Sequence, residues 1–278
     1  MAQQHTGNKP IGIFDSGFGG LTVLKEIVKS LPQYDFIYLG DNARAPYGSR
    51  SYETVYQYTR ECVKNLFDQG CELVILACNT ASAKALRTIQ QVDLPKIDPH
   101  KRVLGVIRPT TEIIGDLSKS KHVGILGTSG TVSSGSYIVE IEKFFPNLKV
   151  FQQACPQLVP LIENDEINNE GAQFFIRKYV SALLNQCADI DTVVLGCTHY
   201  PLIESHIKQL LPPHVTLVSQ GPIIAKSLEG YLQKHPEIEN RCSKNGKLLF
   251  YTTDTPESFN TSATKFFGTA VKAAHLSL

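Results

Sequence analysis

Short, almost wholly apolar runs alternate along the chain with stretches whose apolar residues recur at helical spacing. The runs predicted as strands are Ile11–Phe14, Phe36–Leu39, Leu73–Ala77, Val103–Ile107, Val123–Leu126, Lys149–Gln152, Thr192–Leu195, Val215–Val218 and Lys247–Tyr251. Most are continuous rather than alternating and rich in β-branched residues, the pattern of parallel strands covered on both faces. Between them, Tyr52–Leu66 places apolar residues at 55, 58, 62, 63 and 66, close to a period of about 3.6. Gly70 follows as a terminator. Gln173–Cys187 repeats the pattern at 176, 180, 183, 184 and 187. Strand and helix in alternation predict an α/β protein with mainly parallel sheets flanked by helices.

A weak internal echo divides the chain. IGIFDSGFGG at 11–20 resembles VGILGTSGTV at 123–132, and LVILACNTAS at 73–82 resembles VVLGCTHYPL at 193–202. The same order at near-equal spacing predicts two pseudo-symmetric lobes with a cleft between them. We expect a first lobe at 1–108, a second at 109–221, and a C-terminal segment at 222–278 that packs back on the first.

Composition narrows the class. With 278 residues, 42% hydrophobic and 19% charged, the chain has a folded composition. Twenty-seven basic against 26 acidic residues leave a net charge of +1, which argues against nucleic acid as the main partner. No run reaches the about 18 apolar residues of a membrane helix, and the start carries no leader pattern. The seven cysteines are irregularly spaced without a CxxC, so we read free thiols in a reducing cytoplasm.

Two of those thiols stand apart. Cys78 and Cys197 each end an apolar run and precede a helical pattern. That is the carboxyl end of a strand, where open α/β sheets bind ligands, beside a helix N-terminus that favours an anion. Such a setting is expected to lower a thiol's pKa. Two matched acid/base thiols facing each other suit racemisation, which takes a proton from one face of a carbon and returns one to the other. The remaining cysteines, Cys155 included, read as core or incidental thiols.

Polar turns supply further candidates. Asp15 and Ser16 follow the first strand; Asp15 could face a substrate ammonium, tune Cys78 or cap a helix. FDSGFGG lacks the GK[ST] of a phosphate loop. Loop Gly40–Gly48 brings Tyr47 and Gly48; GTSGT at 127–131 brings Thr131 and the means to hold a carboxylate; Glu163 follows an apolar run. His199, two residues from Cys197, fits a proton relay, a hydrolase base, a metal ligand or a helix start. Cys197, His199 and His206 do not match a zinc spacing, so no metal is expected there.

These segments together resemble glutamate racemase, a branch of the aspartate/glutamate racemase superfamily. The likeness rests on FDSGFGGL, GDNARAPYG, ACNTAS, GTSGT, LVPLIE and GCTHYPL, in order over most of the chain. It implies a cofactor-independent isomerase that makes D-glutamate for peptidoglycan, and hence for cell-wall biogenesis and cell shape, in the cytoplasm as a homodimer. It implies that Cys78 takes the α-proton of the D-substrate and Cys197 that of the L-substrate. Asp15 would assist Cys78, and Glu163 and His199 would assist Cys197. Asp15, Ser16, Tyr47, Gly48, Asn79, Thr80, Thr131, Thr198 and His199 would bind substrate. Arg108, in GVIRPT, stands where many members carry an acid, at the expected lobe junction. Two other readings compete: a racemase for aspartate or another acidic amino acid, and a two-lobed binding protein without turnover.

Overall fold

The computed structural model describes residues 9–278; the first eight, with the start of the expected first lobe and the stretch read for a leader pattern, lie outside the described residues. Among the described residues ten strands form: β1 (Ile11–Asp15), β2 (Phe36–Gly40), β3 (Leu73–Leu76), β4 (Arg102–Gly105), β5 (His122–Gly127), β6 (Lys149–Ala154), β7 (Thr192–Gly196), β8 (Thr216–Val218), β9 (Leu248–Thr252) and β10 (Ala273–His275). They make two sheets, ordered β10-β9-β2-β1-β3-β4 and β6-β5-β7-β8, and every pairing is parallel. The order β2-β1-β3-β4 of the first sheet matches β6-β5-β7-β8 of the second. The echoed segments therefore occupy equivalent central strands, β1 with β5 and β3 with β7.

Burial explains which runs were legible. Every residue of β1, β2, β3 and β7 is buried, as continuous apolar runs require, whereas the edge strand β6 is only half-buried. Val106 and Ile107, expected to extend β4, instead begin a helix. A buried apolar run does not by itself distinguish strand from helix. β10 has no apolar run at all and lies exposed at the sheet edge.

The helices that matter for the site are α1 (Gly20–Ser30), α2 (Tyr52–Asp68), α3 (Asn79–Lys84), α4 (Ile107–Thr111), α5 (Ser129–Ser133), α6 (Ser136–Phe144), α7 (Leu158–Glu163), α8 (Glu170–Leu184), α9 (Gly221–Lys234) and α10 (Pro256–Phe267). In α1, Leu21, Val23, Leu24 and Ile27 form one buried face; Ile224, Leu228 and Leu232 of α9 belong to the same core. α8 starts three residues earlier than its apolar period indicates, because the Asn169 side chain accepts the Ala172 N–H and caps it. All seven cysteines are free thiols. No helix among the described residues is long and apolar enough to cross a membrane.

Candidate active site

A cavity of about 170 Å³ opens where the carboxyl ends of β1 and β3 face those of β5 and β7. Its size suits one small molecule. Cys78 and Cys197 both line it, with Ser16, Tyr47, Gly48, Asn79, Thr80, Glu163, Thr198 and His199. The other two expected residues lie behind the wall. Asp15 is 1% exposed; its Oδ2 accepts the Gly17 N–H at 2.9 Å while Oδ1 has no partner. Thr131 is fully buried, its Oγ1 3.0 Å from that of Thr128 and 3.4 Å from that of Thr80. Thr128 and Ser129 of the same turn reach the cavity instead.

Local chemistry places each group. Cys78 is the N-cap of α3, its Sγ accepting the Ala81 N–H at 3.4 Å, and Ser16 Oγ lies 3.5 Å from the same sulfur. Burial, reinforced by the nearby Asp15 carboxylate, pushes the Cys78 thiol up to about 12. The helix terminus was expected to lower it; desolvation and a like charge outweigh that effect. Burial raises the Asp15 carboxyl too, with His199 pulling it partly back.

Cys197 has a different partner. Its Sγ lies 3.8 Å from His199 Nδ1, and His199 Nε2 lies 2.8 Å from Glu163 Oε1. Burial alone would depress the imidazole, but the bonds to Cys197 and Glu163 prevail and hold it up to about 10. A protonated His199 thus sits between a sulfur and a carboxylate.

The lobes approach closely here. A Cβ on Gly19 would lie 2.3 Å from Thr198 Oγ1 and 2.4 Å from His199 Nδ1, so only glycine fits. Thr22 Oγ1 donates to Thr198 O at 2.8 Å, and Gly130 N to Gly48 O at 2.7 Å. The Tyr47 hydroxyl donates to Asp41 behind the cavity wall that Tyr47 helps to form. Phe266 of α10 packs edge-on against His199, with ring centroids 5.3 Å apart.

Three features escaped the sequence. Cys155, read as filler, follows β6 directly and lines the cavity; the end of an edge strand beside β5 was its only signal. Gln220 and Phe266 come from remote segments with no motif of their own. His206 is not part of the cavity lining. Among the described residues, the one group of three metal-capable side chains is His122, Cys187 and Asp189, which does not include Cys197 or His199. Arg108 lies exposed on α4, bonded to Glu112 at 2.8 Å, with its guanidinium 5.5 Å over the Phe144 ring of α6.

Two thiols on equivalent strand ends line one small-molecule cavity between the two sheets of this α/β protein. Residues 11–228 match the family described as Asp/Glu/Hydantoin racemase. A glutamate racemase from Geobacter metallireducens is 42% identical over 94% of this chain and 93% of its own. One from Sulfurihydrogenibium sp. is 40% identical over 90% and 91%. The chain belongs to the Asp/Glu/Hydantoin racemase family and, within it, to the glutamate racemases. Among solved structures, glutamate racemase isoform RacE1 from Bacillus anthracis superposes with a TM-score of 0.88 at 35% identity, covering 97% of this chain and 98% of that one. The Francisella tularensis glutamate racemase, solved in complex with D-glutamate, gives 0.86 at 33% with the same coverage.

Proposed function

We propose that this racemase interconverts L- and D-glutamate without a cofactor, by proton transfer at Cα between Cys78 and Cys197. The observation that carries the reading is that two thiols on equivalent strand ends line one cavity from opposite lobes. One thiolate removes the α-proton and becomes a thiol. The electron pair left on Cα is delocalised into the carboxylate, and the opposite thiol delivers its own proton to the other face. The roles are then exchanged, as two enantiomers of equal free energy require. Cys197, beside His199, acts on L-glutamate, and Cys78 delivers the proton that makes D-glutamate. Glu163 orients His199, and Asp15 serves Cys78. Ser16, Tyr47, Gly48, Asn79, Thr80, Thr131 and Thr198 form the substrate site, with Thr131 acting through Thr128.

Glutamate is favoured over aspartate by the names of the relatives at 40–42% identity and by the D-glutamate bound to the Francisella protein. The likeness to a Picrophilus torridus aspartate racemase, at 18% identity, reaches the fold alone. The lobes we assign are 1–108 and 109–221, with 222–278 returned to the first. The active form we propose is a cytoplasmic homodimer supplying D-glutamate to peptidoglycan.

Proton NMR of L-glutamate with the purified protein in D₂O, followed alongside optical rotation, tests the activity. Loss of the α-proton signal with decay of rotation to zero is expected. Cys78→Ala and Cys197→Ala are each expected to abolish racemisation in a folded protein. Racemisation of aspartate but not glutamate would shift the substrate; exchange of neither would end the racemase reading. Light scattering reads the dimer, and growth of a D-glutamate auxotroph reads the cellular role.

A further inference from the structure

Asn79 reaches the cavity from the first position of α3, next to Cys78. Behind it, three side chains close a ring of hydrogen bonds. Asn79 Nδ2 donates to Gln220 Oε1 at 2.9 Å, Gln220 Nε2 donates to the Tyr137 hydroxyl at 2.9 Å, and Tyr137 donates to Asn79 Oδ1 at 2.8 Å. Asn79 is 2% exposed, Gln220 4% and Tyr137 0%. The ring joins α3 of the first lobe, α6 of the second and the residue before α9.

One backbone oxygen sets the direction of all three bonds. Val106 O, between β4 and α4, can only accept, and it lies 3.2 Å from Gln220 Nε2. Thr110 Oγ1 lies 2.9 Å from the same nitrogen, whose two N–H groups are shared among Val106 O, Thr110 Oγ1 and the Tyr137 hydroxyl. Gln220 must therefore turn its nitrogen to the lobe junction and its oxygen to Asn79. Asn79 must then offer Nδ2 and turn Oδ1 toward Tyr137, whose proton completes the circuit. Each bond polarises the next in the same sense. A reversed Asn79 amide would set oxygen against oxygen in a buried place, where an unmet polar group is costly.

We propose that Gln220 and Tyr137 are positioning residues of the racemase. Anchored on the lobe junction, they fix which edge of the Asn79 amide meets the substrate beside Cys78. Asn79 retains one N–H and one lone pair, which suit the carboxylate and ammonium of an amino acid. The inference rests on the glutamate racemisation proposed above.

The test uses Tyr137→Phe, which keeps the ring volume, Gln220→Met, which keeps the chain length, and the double variant. For each, kcat and KM are measured with both enantiomers, with the thermal midpoint and its shift on adding D-glutamate. Each single change is expected to lower kcat/KM about tenfold, mainly through KM, and to shrink the D-glutamate shift. The double variant is expected to fall no further than the worse single one, because either change already opens the ring. Variants with a lowered midpoint but wild-type KM and kcat would make the ring merely structural and overturn the proposal, as would additive losses. If Gln220→Met does not fold, the KM change in Tyr137→Phe decides alone. A wild type that leaves the α-proton of glutamate unexchanged overturns the function and this inference with it. An active wild type with unaffected variants overturns the inference only.

Discussion

At the scale of single residues, the two thiols occupy equivalent positions in unlike electrical surroundings. Cys78 has Ser16, a backbone N–H and the Asp15 carboxylate for company; Cys197 has an imidazolium. Iodoacetamide at neutral pH is therefore expected to label Cys197 ahead of Cys78, as peptide mass mapping would show. Equal labelling rates would refute the asymmetry. His199 also ties stability to pH. Its folded-state value, about 10, lies above the ordinary 6.5. Between these values the folded protein holds a proton that the unfolded chain has lost. The pairing thus contributes fully below about pH 6.5 and is lost as the pH rises through about 10. The thermal midpoint of His199→Gln should lie furthest below wild type near pH 6 and converge with it near pH 10. A deficit that does not vary with pH would remove His199 from this role. These residues were legible because each stands in a short motif at a strand end. The elevated Cys78 thiol was not, since a local pattern shows the helix terminus but not the burial or the neighbouring Asp15.

At the scale of elements, the close approach of α1 to the turn after β7 depends on a missing methyl group. Gly19→Ala would drive a Cβ into Thr198 and His199, and the only space open to those side chains is the cavity they line. Activity is expected to fall about a hundredfold or more, since a displacement of about 1 Å at such a site is enough for that. Circular dichroism should stay unchanged; wild-type turnover would contradict the stated contact. The buried strands were readable because both faces must be apolar. The bounds that moved have specific causes: the Asn169 cap lengthens α8, and Val106–Ile107 trade strand for helix on entering the second lobe. Cys155 became a cavity residue because β6 lies beside β5, a neighbour relation that no local pattern carries.

At the scale of the whole molecule, the cleft is completed by chain from far away. Phe266 belongs to α10, which follows β9 of the first sheet, yet its ring packs on His199 of the second lobe and on Phe18. Phe266→Ala is expected to cost about 3–5 kcal/mol of stability and to lower kcat, as His199 loses one wall. Calorimetry with parallel kinetics would show this, and a stability loss with intact kcat would leave Phe266 a core residue only. The echo left 222–278 over and suggested its return to the first lobe; what the sequence could not show is the pairing partner, since β9 and β10 have no counterpart in the second sheet. That pairing also bears on synthesis. The second sheet is drawn from 122–218 without interruption, whereas β2 finds its outer neighbour only at Leu248–Thr252. On the ribosome, the later-encoded sheet therefore has all its strands first, and the earlier one carries a bare hydrogen-bonding edge until Leu248–Thr252 has emerged.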